Sequence, residues 1–252
     1  MSKPTFDPSM WLNNVRAVPT VGVRFHLTID TSSSLVQRLK GMLTKWQSAN
    51  SIKIGLSADN SVKIERQDGI EVTVGNNRVV CKYYYISEIV EKGNLEPVIK
   101  FHAPRKPFEE ICIRLQDVLF EVYTEICKDG NRTVEFAGVV AEGNLDPDGL
   151  PPGFTKMLEH FGKPWPLGLS ELNGRFLAGV QDAPSTTDRC HHMVDFNSNA
   201  ESVVEFKLDW QRVWKSPRET NPTKLKADME ACRAAAMNYF GKFGLGDLCY
   251  GE

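Results

Sequence analysis

The sequence has no run of the roughly 18 apolar residues that a membrane helix needs, which argues against a helical membrane span. Its opening residues, Met1 to Trp11, lack the apolar stretch of a secretory signal, so the expected location is cytoplasmic, with no membrane partner. Six cysteines (Cys81, Cys112, Cys127, Cys190, Cys232, Cys249) form no C-x-x-C and no paired spacing. That excludes a recognisable zinc site or disulfide framework and suits reduced, buried thiols. There is no G-x-x-x-x-G-K-[ST], no H-E-x-x-H and no G-x-S-x-G, the signatures of phosphate loops, zinc proteases and nucleophile elbows. Charge of one sign is not in excess either. A net charge of −2 gives no general attraction to nucleic acid or to an anionic membrane. No residue set asks for a metal or a cofactor.

What is present is an ordinary globular composition: 252 residues, 41% hydrophobic and 25% charged, enough to bury a sizeable core. The charge is uneven. Residues 1–128 carry 17 Lys+Arg against 14 Asp+Glu, net +3, so residues 129–252 are net −5.

Periodicity then orders the chain. Val21 to Ile29 alternates apolar and polar and predicts a half-buried strand. Thr31-Ser-Ser-Ser34 is a hydroxyl-rich helix start. After it Leu35, Val36, Leu39, Met42, Leu43 and Trp46 recur at helical spacing over about 33–48. Short strands follow around Ile52–Leu56, Val62–Ile64, Ile70–Val74 and Val79–Ile86. Asp59-Asn60, Asp68-Gly69 and Gly75-Asn76-Asn77 separate them, residues that tolerate positive φ. Val98 to His102 adds a further candidate strand. Pro107 opens a helix to about Lys128.

The second half repeats that order: a strand from Thr133 to Ala141, a stiff loop into a short helix ending near Gly162, and strands near 171–181, 189–197 and 203–211. Asn221-Pro222 then starts a helix through Tyr239, with the glycines from Gly241 read as its cap and a loose tail. The expected class is α+β. Two pseudo-repeated β-α-β(3-4)-α halves, 1–128 and 129–252, form one curved antiparallel sheet with the helices on one face. The element order resembles the TATA-binding-protein-like saddle fold, and fold resemblance confers no function.

The candidate chemistry is sparse. Lys207-Leu-Asp-Trp-Gln-Arg-Val-Trp214 reads either as a polar and aromatic ligand site or, more plainly, as a strand ending in an anchored corner. Cys190-His191-His192 resembles half of a metal site, but adjacent strand residues point to opposite faces, so the plainer reading is a structural histidine. Strand parity yields one surface. Opposite the apolar face of the first half lie Arg24, His26, Lys53, Lys63, Lys82, Tyr84, Lys100 and His102, against Glu65 and Glu71. Arg24, Lys53, Lys63, Lys82, Tyr84 and Lys100 are therefore the candidate ligand-binding set, a locally basic face with an aromatic platform.

Several segments together resemble a sporadically distributed family of uncharacterised prokaryotic proteins of similar length. They are Val21–Ile29, Val74-Gly-Asn-Asn-Arg-Val-Val80, the helix from Phe108, Phe206-Lys-Leu-Asp-Trp210 and the closing Tyr239-Phe240…Gly251. The middle strand departs from the family, having Thr133-Val-Glu-Phe-Ala-Gly138 where an Arg-Tyr-x-Asn element belongs. The resemblance implies no activity and no catalytic residues.

The functional expectation is a non-enzymatic binding or interaction protein, docking a polyanion or an acidic protein partner on the basic face. The alternative is a hydrolase or nucleotide-acting enzyme with a site near His191, Asp195 and Asp209. Converging side chains in a deep pocket would favour the enzyme, and a broad shallow face would favour binding.

Overall fold

The structure, a computed structural model, describes residues 10–26, 31–49, 51–84, 87–90, 98–101, 106–146, 149–162, 171–182, 186–197 and 204–247. The helices are α1 (Met10–Asn14), α2 (Ser32–Ala49), α3 (Phe108–Ile126), α4 (Pro152–Gly162) and α5 (Pro222–Leu245). The strands are β1 (Val18–Phe25), β2 (Ile52–Leu56), β3 (Val62–Arg66), β4 (Ile70–Gly75), β5 (Arg78–Tyr83) and β6 (Ser87–Val90). They continue as β7 (Val98–Phe101), β8 (Arg132–Leu145), β9 (Glu171–Asp182), β10 (Thr186–Asn197) and β11 (Val204–Thr220).

Nine strands form one antiparallel sheet in the order β2-β3-β4-β5-β1-β8-β11-β10-β9. The α+β class and a continuous antiparallel sheet drawing strands from both halves of the chain are as the periodicity predicts. β1 and β8 pair directly, with Val21 opposite Val139, so the first strand of each half meets at the centre. The inward parity also holds. Val21, Val23 and Phe25 on β1, and Val204, Phe206, Leu208 and Trp210 on β11, are all buried. Against that apolar face pack α2, α3 and α5, with α4 resting on α5. The core is one contiguous cluster running from Leu39 and Trp46 under α2 to Phe240 and Phe243 on α5.

The helix starts are chemically specified. The Thr31 hydroxyl accepts from the Ser34 N–H at 3.2 Å. Asn221 accepts from the Lys224 N–H at 2.9 Å, with Pro222 at the first helical position. Pro107 supplies no side-chain cap to α3; instead Asn13, in α1, accepts from the Phe108 N–H at 2.6 Å. The turn residues Asn60 and Gly69 sit at φ 62° and 84°, as expected of their types.

Five expectations are corrected. The first strand begins at Val18 and ends at Phe25, and Leu27 and Ile29 lie outside the described residues. β5 stops at Tyr83. β7 pairs with β6 in a separate two-stranded sheet and does not extend the meander. β11 runs on to Thr220, through a register shift between Val213 and Arg218. Finally, α5 does not stop at Tyr239. It continues through Gly241 and Gly244 to Leu245, and Gly246, at φ 72°, is the left-handed cap. Buried Phe240 and Phe243 anchor the extra turns to the core, and this packing outweighs the helix-weakening glycines.

Candidate functional site

All the helices that touch the sheet lie on one side, so the other face carries side chains with no layer over them among the described residues. Its centre is a row in register: Val80, Gly22, Gly138 and Gln211 on β5, β1, β8 and β11. Two adjacent glycines leave a low floor. A Cβ on Gly138 would stand 3.1 Å from the Trp210 carbonyl oxygen, and one on Gly22 3.3 Å from that of Val79. The neighbouring backbone thus approaches where side chains would otherwise rise. Around this floor lies a trough of about 420 Å³, rimmed by Arg24, Arg78, Phe136, Lys207 and Asp209. A larger cavity of about 770 Å³ lies at the end of the same face, where Arg16, Arg175 and Lys207 meet Glu142, Asp195 and Glu205. A third hollow of about 480 Å³ surrounds Lys63, Glu71 and Tyr84.

The basic set expected from sequence is distributed as follows. Arg24, Lys53, Lys63, Lys82 and Tyr84 stand on the helix-free face. Lys100 belongs to β7, which is not hydrogen-bonded to the nine-stranded sheet, and its side chain lies outside the described residues, as does His102. Lys63 reaches Glu71 at 2.7 Å and Glu65 at 3.1 Å. Those two hydrogen bonds, Glu71's the stronger, push its pKa up. Partial burial pulls the Lys82 pKa down, but its bond to Glu142 together with the charges of Glu142, Tyr84 and Glu71 outweighs this, and the net shift is upward. Lys82 also lies 5.2 Å over the Tyr84 ring. Arg24 pairs with Glu135 at 3.4 Å, and His26 lies 3.2 Å from the same carboxylate. The face is therefore an alternating network of charge. Glu135 and Glu142 were absent from the first-half parity count because they arrive on β8, from the other half of the chain.

The second candidate trio does not converge. His191 faces Asp209 across the β10–β11 ladder. Asp195 is four residues further along β10, roughly 13 Å at 3.3–3.4 Å per residue, and lines the other cavity. Asp209 is held from its own strand: Gln211 donates to it at 3.0 Å and in turn accepts from Arg189 at 2.9 Å. Cys190 is buried, and burial pushes its thiol up, as it does at Cys81, Cys112 and Cys232. Such thiols are poor nucleophiles. Among the described residues no group of three or more His, Cys, Asp or Glu is placed to hold a metal ion.

His192 points inward as parity predicts, its Nε2 2.8 Å from the Tyr239 hydroxyl. Burial, with a smaller contribution from His191, lowers its pKa to about 4. The imidazole must stay neutral for the fold to hold it. In the unfolded chain the group protonates near 6.5, so the stability it permits is complete above that pH. That stability is lost as pH falls from 6.5 through about 4, a change on the order of 3 kcal/mol. Denaturation midpoints measured between pH 7.5 and 4 should fall more steeply for the native protein than for His192→Gln. Parallel slopes would contradict this assignment.

Two features of the structure were not read from sequence. Arg16 follows α1 with φ 50°. The Arg16 N–H donates to the Asn13 carbonyl and the Ala17 N–H to that of Leu12, a Schellman closure with arginine where glycine is preferred. The left-handed backbone costs an L-residue about 1–2 kcal/mol. The second is Asp188, nearly buried and bound by both arms of Arg212 at 2.8 and 2.7 Å.

No family model matches the chain, and no curated protein matches it.

Proposed function

We propose that this is a binding protein whose helix-free sheet face docks an extended, acidic segment of a partner protein along the central trough. One observation carries the reading: the paired glycines Gly22 and Gly138 form the floor of that trough at the centre of the sheet. A polypeptide backbone can lie close over such a floor. Cationic Arg24, Arg78 and Lys207 on the rim, against Asp209, favour acidic side chains in the guest. A phosphate backbone is less well matched, because Glu71, Glu135 and Glu142 interleave with the lysines and would repel a charge repeated at every unit. The hydrolase reading draws less support, since Asp195 and Asp209 line two separate hollows.

The test places a photo-crosslinking amino acid at Val140, on the trough floor, and in a second protein at Lys226, exposed on α5. In extracts of the native host a discrete protein adduct is expected from position 140 and none from 226. It should be lost in Arg24→Glu combined with Lys207→Glu, and should weaken as salt rises from about 50 to 200 mM. Adducts removed by nuclease would replace the protein partner with a nucleic acid. Equal labelling from both positions would overturn the face as the site.

A further inference from the structure

We infer that β2, the strand at one end of the nine-stranded sheet, pairs with β2 of a second copy of this chain, antiparallel about a two-fold axis at Ile54. The inference concerns the edge of the sheet and is independent of the trough on its face.

The β2–β3 register fixes which backbone groups are free. The Ser57 N–H donates to the Ser61 carbonyl at 2.9 Å, and the Gln67 N–H to that of Ser51 at 3.0 Å. Bonded pairs alternate along an antiparallel ladder, so Lys53 and Gly55 turn their backbone groups to β3. The N–H and C=O of Ile52, Ile54 and Leu56 point the other way, and among the described residues nothing bonds to them. Such an edge is ordinarily blunted by a proline, a bulge or a charge turned inward. β2 has none of these: it reads Ile-Lys-Ile-Gly-Leu and pairs with β3 without a register shift.

Its side chains on the helix-bearing side are apolar and uncovered. Ile54 and Leu56 stand opposite Ile64 and Val62, both fully buried, yet are themselves 41% and 62% exposed. Leu56 is the most exposed large apolar side chain among the described residues. The row Val72–Ile64–Ile54 thus leaves the core and ends in solvent.

The strand is self-complementary. With Ile54 on the axis, Ile54 faces its own copy and Ile52 faces the copy's Leu56. All three carry outward backbone groups, so every free N–H meets a C=O, and apolar side chains meet apolar ones. Lys53, the one charged residue of the strand, falls opposite Gly55, so no like charges confront each other across this join. It keeps Glu65 as its neighbour on β3. Other registers are worse. A slip of one residue sets outward groups against groups already bonded to β3. A slip of two sets Lys53 against Lys53 in one direction and carries Ile52 past the end of the strand in the other. The two-fold closes on itself, so assembly stops at the dimer.

Sedimentation velocity of the full chain, loaded at roughly 1 to 300 μM, reads the assembly directly. The native protein is expected to pass from monomer to dimer across that range, with no larger species, because a short strand ladder makes a small interface. Ile54→Pro removes an N–H at the axis that β3 does not use, and Leu56→Lys places a charge in the apolar row at an exposed position. Each change enters the interface twice, and each should weaken the dimer by about tenfold or more with the far-UV circular dichroism unchanged. Lys53→Ala should dimerise like the native protein. A native protein that stays monomeric throughout would overturn the proposal. So would a dimer that survives Leu56→Lys, which decides alone if Ile54→Pro does not fold, or open-ended oligomers, which would mean that β2 joins a different edge.

Discussion

Gly153→Ala is expected to cost about 3 kcal/mol or more, at the upper end of what an added methyl does in a packed interior. Gly153 opens α4 where it crosses the last turn of α5. A Cβ there would overlap the Phe243 carbonyl, whose carbon would stand 2.7 Å away. The obstacle is backbone, so no rotamer change relieves it. The aromatic cluster beside it has little room to yield. Phe154 packs edge-on against Phe243 at 4.7 Å and Phe206 at 5.4 Å, and Trp11 donates its indole N–H to the Phe240 carbonyl at 2.9 Å. Gly244→Ala should act similarly by forcing Trp11 out, its ring carbon Cε2 being 3.0 Å from the added atom. Gly41 in α2 is the control, since nothing lies within 4 Å of its would-be Cβ. There alanine should stabilise by up to about 1 kcal/mol. Urea denaturation of the three variants checks the ordering. A Gly153→Ala protein as stable as Gly41→Ala would mean that α4 and α5 do not meet at this point.

The same glycines mark where sequence reasoning stops. Gly241 and Gly244 read naturally as a helix end, since glycine weakens a helix and commonly follows one. What overrides that preference is the close approach of Trp11, more than 200 positions away in sequence, and periodicity carries no information about it. Alternation, by contrast, is local. It placed Val204, Phe206, Leu208 and Trp210 inward without knowledge of any partner strand, because the side-chain period of a strand is fixed by its backbone. The basic face was legible for the same reason and incomplete for the opposite one. The lysines of β3 and β5 follow from parity, while Glu142, which reaches Lys82, lies on a strand whose register against β1 only the fold defines. The glycine floor is hidden likewise. Gly22 and Gly138 are unremarkable in their own strands and become a feature once they face each other. Arg16 gives no signal at all in sequence, since only its φ separates it from any surface arginine.

Arg212→Met is expected to destabilise the protein by about 3–5 kcal/mol, while the double variant Asp188→Leu with Arg212→Met should recover most of that loss. The Asp188 side chain is 12% exposed and that of Arg212 18%, so water screens the pair weakly. The guanidinium holds the carboxylate with two hydrogen bonds, and Asp188, bonded to it most strongly, holds the Arg212 pKa above its ordinary value. Removing the arginine alone leaves a carboxylate beside buried Cys232 and Ala137 with its hydrogen bonds unmade. Removing the aspartate alone leaves a buried cation. Replacing both exchanges an ion pair, which has a large desolvation cost of its own, for apolar surface of similar volume. An exposed pair such as Lys106–Glu110 carries no such penalty, and Lys106→Ala should change stability by no more than about 0.5 kcal/mol. Chemical denaturation of the native protein, the two single variants and the double variant closes the cycle. A coupling energy above about 2 kcal/mol is the expected result. Simple additivity, with the double variant losing the sum of the two singles, would show that the carboxylate and guanidinium contribute independently and that their contact does not hold β10 to β11.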